Sequence, residues 1–240
     1  MRANAGPKRD EVSLARLKRM RADEIRALLA GDPAEALPWV RLAADHGLPE
    51  AQNRLGRMLL DGAGAAKDEA AALGWFKTAA RSGDGDAMNM VGRCCENGWG
   101  TARDLAAAAD WYRRSAATDH DWGRYNYANA LFDGLGVPRD REAAVALYRL
   151  AADQGHGRAM NLLARCSEEG WGTDKDPAAA AEWYRRSAET GYFRAQFNHA
   201  TILMAVGRVE LAGAGVAKAA EGGNAAIRGR IAGDLMGYSD

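Results

Sequence analysis

The side chains able to carry acid–base, nucleophilic or metal chemistry are few in this chain. The histidines are His46, His120, His156 and His199, and the cysteines are Cys94, Cys95 and Cys166. A metal site needs ligands at short fixed spacing, as in Cys-x-x-Cys or His-Glu-x-x-His. Neither pattern occurs, and the histidines are scattered. There is also no phosphate loop, no Gly-x-Ser-x-Gly elbow and no Gly-x-Gly-x-x-Gly opening a helix after a strand. The carboxylates show one regularity: Asp68, Asp104, Asp140 and Asp176 stand 36 residues apart. A catalytic carboxylate is singled out by its surroundings. Four copies at a fixed interval read instead as helix N-caps. The expectation is no catalytic residue, no metal and no cofactor. One mixed cluster, His120-Asp121-Trp122, supports an alternative: an enzyme or small-molecule binder with a pocket near residues 120–125.

The elements that would position any site follow from the same interval. Blocks of 36 residues begin at Ala51, Ala87, Gly123 and Ala159 with no insertion between them. A fixed period of this length implies stacked helical units, each stabilised by its neighbours. In the first block Ala51, Leu55, Met58 and Leu59 recur on one helical face. Gly62 and Gly64 then stop that helix, as do Gly98, Gly134 and Gly170 in the later blocks. After the capping aspartate a second helix carries Trp75-Phe76 among alanines, and Trp111-Tyr112, Leu147-Tyr148 and Trp183-Tyr184 repeat the pattern. Gly56, Gly92, Ala128 and Ala164 keep one site on each first helix small enough for close crossing.

The predicted architecture is an all-α solenoid spanning residues 1–240 as one domain. It has an atypical N-terminal unit over 11–50, full repeats over 51–86, 87–122, 123–158 and 159–194, and a degenerate repeat and cap over 195–240. One helix is expected from about Glu11 to Ala30, then another after Asp32, which Pro38 either bends or shortens by its first turn. Residues 208–221 are expected to form a shortened second helix. Asp119 stands where the other blocks end in glycine (Gly83, Gly155, Gly191), so a different turn is expected there.

Composition narrows the partners. The 32 basic and 32 acidic side chains leave a formal net charge of zero. That argues against a nucleic-acid or anionic-membrane binder working by bulk charge. No stretch approaches 18 consecutive apolar residues, the N-terminus carries no apolar signal core, and the odd cysteine count makes a poor disulfide framework. A cytoplasmic protein is expected, as a monomer rather than an obligate oligomer. Self-association through its ends, at Ile227 and Ile231, is a third possibility.

Together these motifs resemble the Sel1-like repeat, a relative of the tetratricopeptide repeat. They read ALFDGLGVPRDREAAVALYRLAADQG in the third block and CSEEGWGTDKDPAAAAEWYRRSAETG in the fourth, and the resemblance covers roughly residues 31 to 204. It implies a right-handed superhelix of antiparallel helix pairs whose first helices line a concave groove. It also implies a scaffold or adaptor that binds another protein or peptide, often in bacteria. Some secreted members pair a cysteine on each helix. Here all three cysteines lie on first helices, which does not fit that version.

A second periodicity narrows the search for a binding face. Blocks two and four agree at 22 of 36 positions, so a 72-residue pair stands above the 36-residue unit. Block positions 3, 7 and 10 point away from the core-facing positions 1, 5 and 8. They are Asn53, Arg57 and Leu60; Asn89, Arg93 and Glu96; Tyr125, Asn129 and Phe132; and Asn161, Arg165 and Glu168. An Asn/Arg/Glu ridge broken by a Tyr/Phe patch suits a protein surface, since Tyr and Arg are favoured at contact hot spots. Alternatively Arg93 and Glu96 simply pair along their helix. Trp99 and Trp171, each between two loop glycines, are further candidates or fold back over the helix ends. Trp122 is expected to be the most exposed tryptophan.

Overall fold

The computed structural model describes residues 12–222. Among them the chain forms thirteen α-helices and no strand. The first three are α1 (Leu14–Leu17), α2 (Ala22–Ala30) and α3 (Pro33–Asp45). Five pairs follow: α4 (Pro49–Asp61) with α5 (Glu69–Arg81), α6 (Gly85–Asn97) with α7 (Leu105–Ala116), and α8 (Asp121–Asp133) with α9 (Arg141–Asp153). The last two pairs are α10 (Gly157–Glu169) with α11 (Pro177–Glu189), and α12 (Phe193–Ala205) with α13 (Val209–Gly222). First helices thus begin at a constant 36-residue interval, two residues ahead of the block starts read from sequence.

Each helix begins and ends where its residues dictate. Asp68, Asp104, Asp140 and Asp176 accept the backbone N–H of Ala71, Ala107, Ala143 and Ala179, all at 2.9 Å. That satisfies a donor with no partner inside the helix. Gly62, Gly98, Gly134 and Gly170 close the first helices at φ between 72° and 76°, a backbone glycine adopts without strain. The second loop glycine has a different task. A β-carbon on Gly64, Gly100 or Gly172 would lie 2.3–2.5 Å from the carbonyl oxygen of Pro33, Glu69 or Arg141, at or beside the N-terminus of the preceding second helix. Gly-x-Gly is therefore both a turn and a contact between successive units.

The chain divides into two compact units, one ending at Gly123 and one beginning at Arg124. In the first, consecutive helices from α3 to α7 pack in series. Phe76 is completely buried and fills the space left by Gly56, where a β-carbon would approach its ring to 2.6 Å; Tyr112 does the same at Gly92. Burying such a ring contributes about 1.5–3 kcal/mol. In the second unit Ala128, Val145, Tyr148, Ala159, Leu163 and Cys166 form a continuous core, and Ala200, Ala212, Val216 and Ala219 a smaller one between α12 and α13. All three cysteines are free and buried. No helix of the described residues is long and apolar enough to cross a membrane.

Three local expectations are corrected, and a fourth is met in part. The helix expected from Glu11 to Ala30 is two, because Arg21 begins a new one: its N–H is held by Glu24 Oε2 at 2.9 Å, and Asp23 and Glu24 favour a helix start. Glu11 itself lies outside the described residues. Pro38 does not shorten α3, which has the same 13 residues as its counterparts. α13 has 14 residues and is not truncated. At Asp119 the turn differs as expected in that α7 ends one residue early, at 12 residues, while Asp119 keeps the left-handed backbone of its glycine counterparts, with φ 68°. Ile227 and Ile231 lie outside the described residues.

Candidate binding clefts on the first helices

The first helices carry the candidate side chains, and the structure puts them to several uses. The position-3 asparagines do not project into solvent: Asn53, Asn89 and Asn161 are all buried. Within each unit a neighbouring first helix reaches this face, α6 against α4 and α12 against α10. Asn53 Nδ2 donates to Asp86 Oδ2 at 2.8 Å across to α6, and Asn198 Nδ2 donates to Asn161 Oδ1 at 3.0 Å between α12 and α10. Leu60 is buried as well.

The position-7 and position-10 side chains form a repeated lattice of contacts. Arg57 pairs with Asp86 at 2.7 Å. The guanidinium of Arg93 lies 5.3 Å from the centroid of the Trp99 ring, and that of Arg165 lies 5.3 Å from Trp171. Tyr112 donates its hydroxyl to Glu96 at 2.7 Å, and Tyr184 donates to Glu168 at 2.8 Å. Burial, and then this bond to a carboxylate, hold both phenols well above the usual tyrosine range. In the third repeat Tyr148 donates to Asn129 instead, at 2.7 Å. The glutamates are thus engaged by tyrosines and the arginines by rings, in place of the Arg–Glu pairing along the helix. The 72-residue echo is a conserved set of contacts within the chain: Ser115 and Ser187 likewise bond the carbonyls of Gly85 and Gly157, both at 2.6 Å.

The loop tryptophans fold back. Trp171 has Arg165 at 5.3 Å and Arg141 at 5.6 Å from its ring centre, with Phe132 packed at 5.7 Å. Phe132 also meets Tyr148 and belongs with the core of the second unit rather than with a free surface. Trp122, at 39 % exposure, is the one tryptophan among the large exposed hydrophobic residues.

The region around residue 120 contains an arrangement that resembles a hydrolytic relay. Ser115 Oγ is 3.2 Å from His120 Nδ1, and Asp86 Oδ1 is 3.7 Å from His120 Nε2. Nucleophilic catalysis needs an accessible hydroxyl that gives its proton to the histidine. Ser115 is fully buried and donates to the Gly85 carbonyl, while His120 Nδ1 accepts the Gly123 N–H at 3.1 Å. His156 caps α10 in the same way, with Nδ1 accepting from Ala159 at 3.1 Å. These groups hold helix ends together.

Three clefts adjoin the first helices. In the first unit one of about 790 Å³ is lined chiefly by apolar residues of α1 to α4, together with Asn53, Arg57 and Asp86. A smaller one of about 210 Å³ gathers Arg57, Leu60, Arg93 and Trp99. In the second unit a cleft of about 460 Å³ brings together Tyr125, Asn161, Arg165 and Glu168, four residues the sequence nominated. It adds Arg158, Leu162, Tyr184, Tyr192, Arg194, Phe197 and Asn198, which it did not. Asn89, Glu96, Asn129 and Phe132 line none of the three. Arg158 and Arg194 were legible in principle: they stand 72 and 108 residues after Asp86, at the same place in the repeat.

A family model described as Sel1 repeat matches residues 27–48, 49–84, 85–120, 123–156 and 157–192. Among solved structures, a protective antigen of uropathogenic Escherichia coli displaying an SLR fold is 31% identical with a TM-score of 0.70. The match covers 87% of this chain and 46% of that one, so the chain spans just under half of the antigen's length. A Sel1 repeat protein from Oxalobacter formigenes is 28% identical, with a TM-score of 0.78 and 86% of each chain covered. A protein from Klebsiella pneumoniae described as a sel1 repeat protein shares the fold, at 18% identity, a TM-score of 0.55 and coverage of 80% and 95%. No curated protein matches the chain.

Proposed function

The chain belongs to the Sel1 repeat family, and we propose that it is a non-catalytic scaffold or regulatory adaptor that binds a segment of another protein against its first helices. The observation that carries this reading is the second unit's cleft, where α8, α10, α11, α12 and the Tyr192 cap contribute tyrosines, arginines and asparagines around a volume of about 460 Å³. Aromatic and arginine side chains give large contact area for little lost flexibility, which is why they dominate protein recognition. Near residue 120, Ser115 is engaged by the Gly85 carbonyl and His120 by the Gly123 N–H, which favours this reading over an enzyme. Free buried thiols are consistent with a reducing compartment such as the cytoplasm.

Filling the cleft tests the proposal without presuming the partner's chemistry. Leu162→Trp and Asn198→Trp each add bulk to the lining. Affinity capture with the double variant is expected to lose the partner retained by the unaltered chain, with helicity by circular dichroism unchanged. Capture at the original level by a folded double variant rejects the cleft as the binding face.

A further inference from the structure

The two units solve the same local problem with opposite charges. At the second residue of the first helices, α4 carries Glu50 and α6 carries Asp86, whereas α10 carries Arg158 and α12 carries Arg194. A helix N-terminus bears partial positive charge, so an acidic residue stabilises it and an arginine opposes it. Folding alone favours the first arrangement. In the first unit Asp86 also has specific work: its carboxylate accepts from Asn53 Nδ2 at 2.8 Å and from Arg57 at 2.7 Å on the preceding first helix.

The repeat register locates the corresponding groups in the second unit. Asn161 stands for Asn53, Arg165 for Arg57, and Arg194 for Asp86. The donors are kept and the acceptor has been replaced by a cation. Arg165 and Arg194 line one cleft, and among the described residues neither joins an ion pair; their guanidinium groups lie against the Trp171 and Phe193 rings instead. Arg158 lines the same cleft, and the one acidic residue there, Glu168, is already engaged by the Tyr184 hydroxyl. Three arginines gather here in a chain whose formal charge is zero.

We infer that this cleft receives an acidic peptide segment, one of whose Asp or Glu carboxylates takes the place that the Asp86 carboxylate fills in the first unit. This rests on the proposed adaptor reading and specifies the partner's chemistry. The incoming carboxylate accepts hydrogen bonds from Arg165 and Arg194 in the two-pronged geometry guanidinium favours. An apolar side chain beside it packs on Leu162, Tyr192 and Phe197. A peptide uses the tyrosine and leucine side chains of the lining as well as its arginines, whereas a bare anion would use only the arginines.

The test is selection of a displayed library of random twelve-residue peptides on the full chain. Fluorescein-labelled representatives are then titrated by anisotropy against the unaltered chain, Arg194→Asp and Arg165→Gln. Arg194→Asp restores the first unit's internal ion pair and places an acid where the helix prefers one, so it is expected to fold. Recovered peptides are expected to be enriched in Asp and Glu, to lose about tenfold or more in affinity to either variant, and to weaken as salt is raised. A recovered pool without acidic enrichment, or with affinity unchanged in both variants, overturns this inference and leaves the adaptor reading intact. A single-stranded twelve-nucleotide RNA that binds more tightly than every peptide overturns both. A selection that yields no binder above background overturns both.

Discussion

The two glycines of one loop separate a local cost from a cost paid to the neighbouring repeat. Gly98 and Gly100 have nearly the same backbone, at φ 76° and 67°, so Gly98→Ala and Gly100→Ala incur the same left-handed penalty, about 1–2 kcal/mol. Their surroundings differ. A β-carbon at residue 98 meets nothing closer than 3.5 Å, ordinary contact. At residue 100 it falls 2.3 Å from the Glu69 carbonyl oxygen and 2.8 Å from Ala70 Cα. That obstacle is backbone, and relief requires the loop to lift off α5 or α5 to shift. Steric insertion of this kind costs roughly a further 1–3 kcal/mol. Gly98→Ala should therefore destabilise by about 1–2 kcal/mol and Gly100→Ala by about 2–5 kcal/mol. Denaturant unfolding followed by far-UV circular dichroism measures both, and the difference between the two variants is the inter-repeat term. Equal destabilisation would refute the claim that Gly-x-Gly is a contact between units. The consequence reaches the first helix of the same repeat, because the residue between these glycines is Trp99, the ring on which Arg93 rests.

Other predictions concern caps, protons and thiols. Removing one repeated cap with Asp104→Ala should cost about 1 kcal/mol, seen as a Tm lower by about 2–4 °C; an unchanged Tm would contradict the capping role. His199 is held below its ordinary value of 6.5, first by burial and then by the charge of Arg185. The unfolded chain thus binds this proton more readily, so its contribution is complete above pH 6.5 and is lost as pH falls through the lowered folded value. His199→Gln should flatten the dependence of the unfolding midpoint between pH 7 and 5, and an identical slope would count against it. Burial pushes the Cys94 thiol up to about 12 and Cys166 up to about 11. The folded chain should accordingly react with a chromogenic disulfide at pH 8 only as fast as it unfolds; rapid labelling of the native protein would show the thiols are not enclosed.

The period revealed the helix pairs because caps, left-handed glycines and close crossings are local demands, and each leaves a residue type at a fixed offset. Asp104, Gly98 and Gly92 could be assigned for that reason. The face of the first helix was harder to read. Periodicity within one helix treats whatever is opposite the core as solvent, yet Asn161 meets Asn198 of the next first helix and is buried by it. Phe132 was drawn into the core by Trp171, a loop residue whose fold-back depends on three-dimensional neighbours. Arg194 is hidden from this pattern because it lies at a helix start, one residue ahead of the block opening at Ala195 and three ahead of position 3. It stands out only when matched to Asp86, whose partners are visible in the structure.

The most direct measurement of the binding claim is site-specific photo-crosslinking of the chain to its captured partner. A photoreactive phenylalanine analogue at residue 162 lies in the lining of the second unit's cleft, while one at residue 150 replaces the exposed Leu150 of α9, which does not line it. The account predicts a crosslinked partner from residue 162 and none from residue 150. Crosslinking from residue 150 with none from residue 162 would contradict it and move the interface to the second helices.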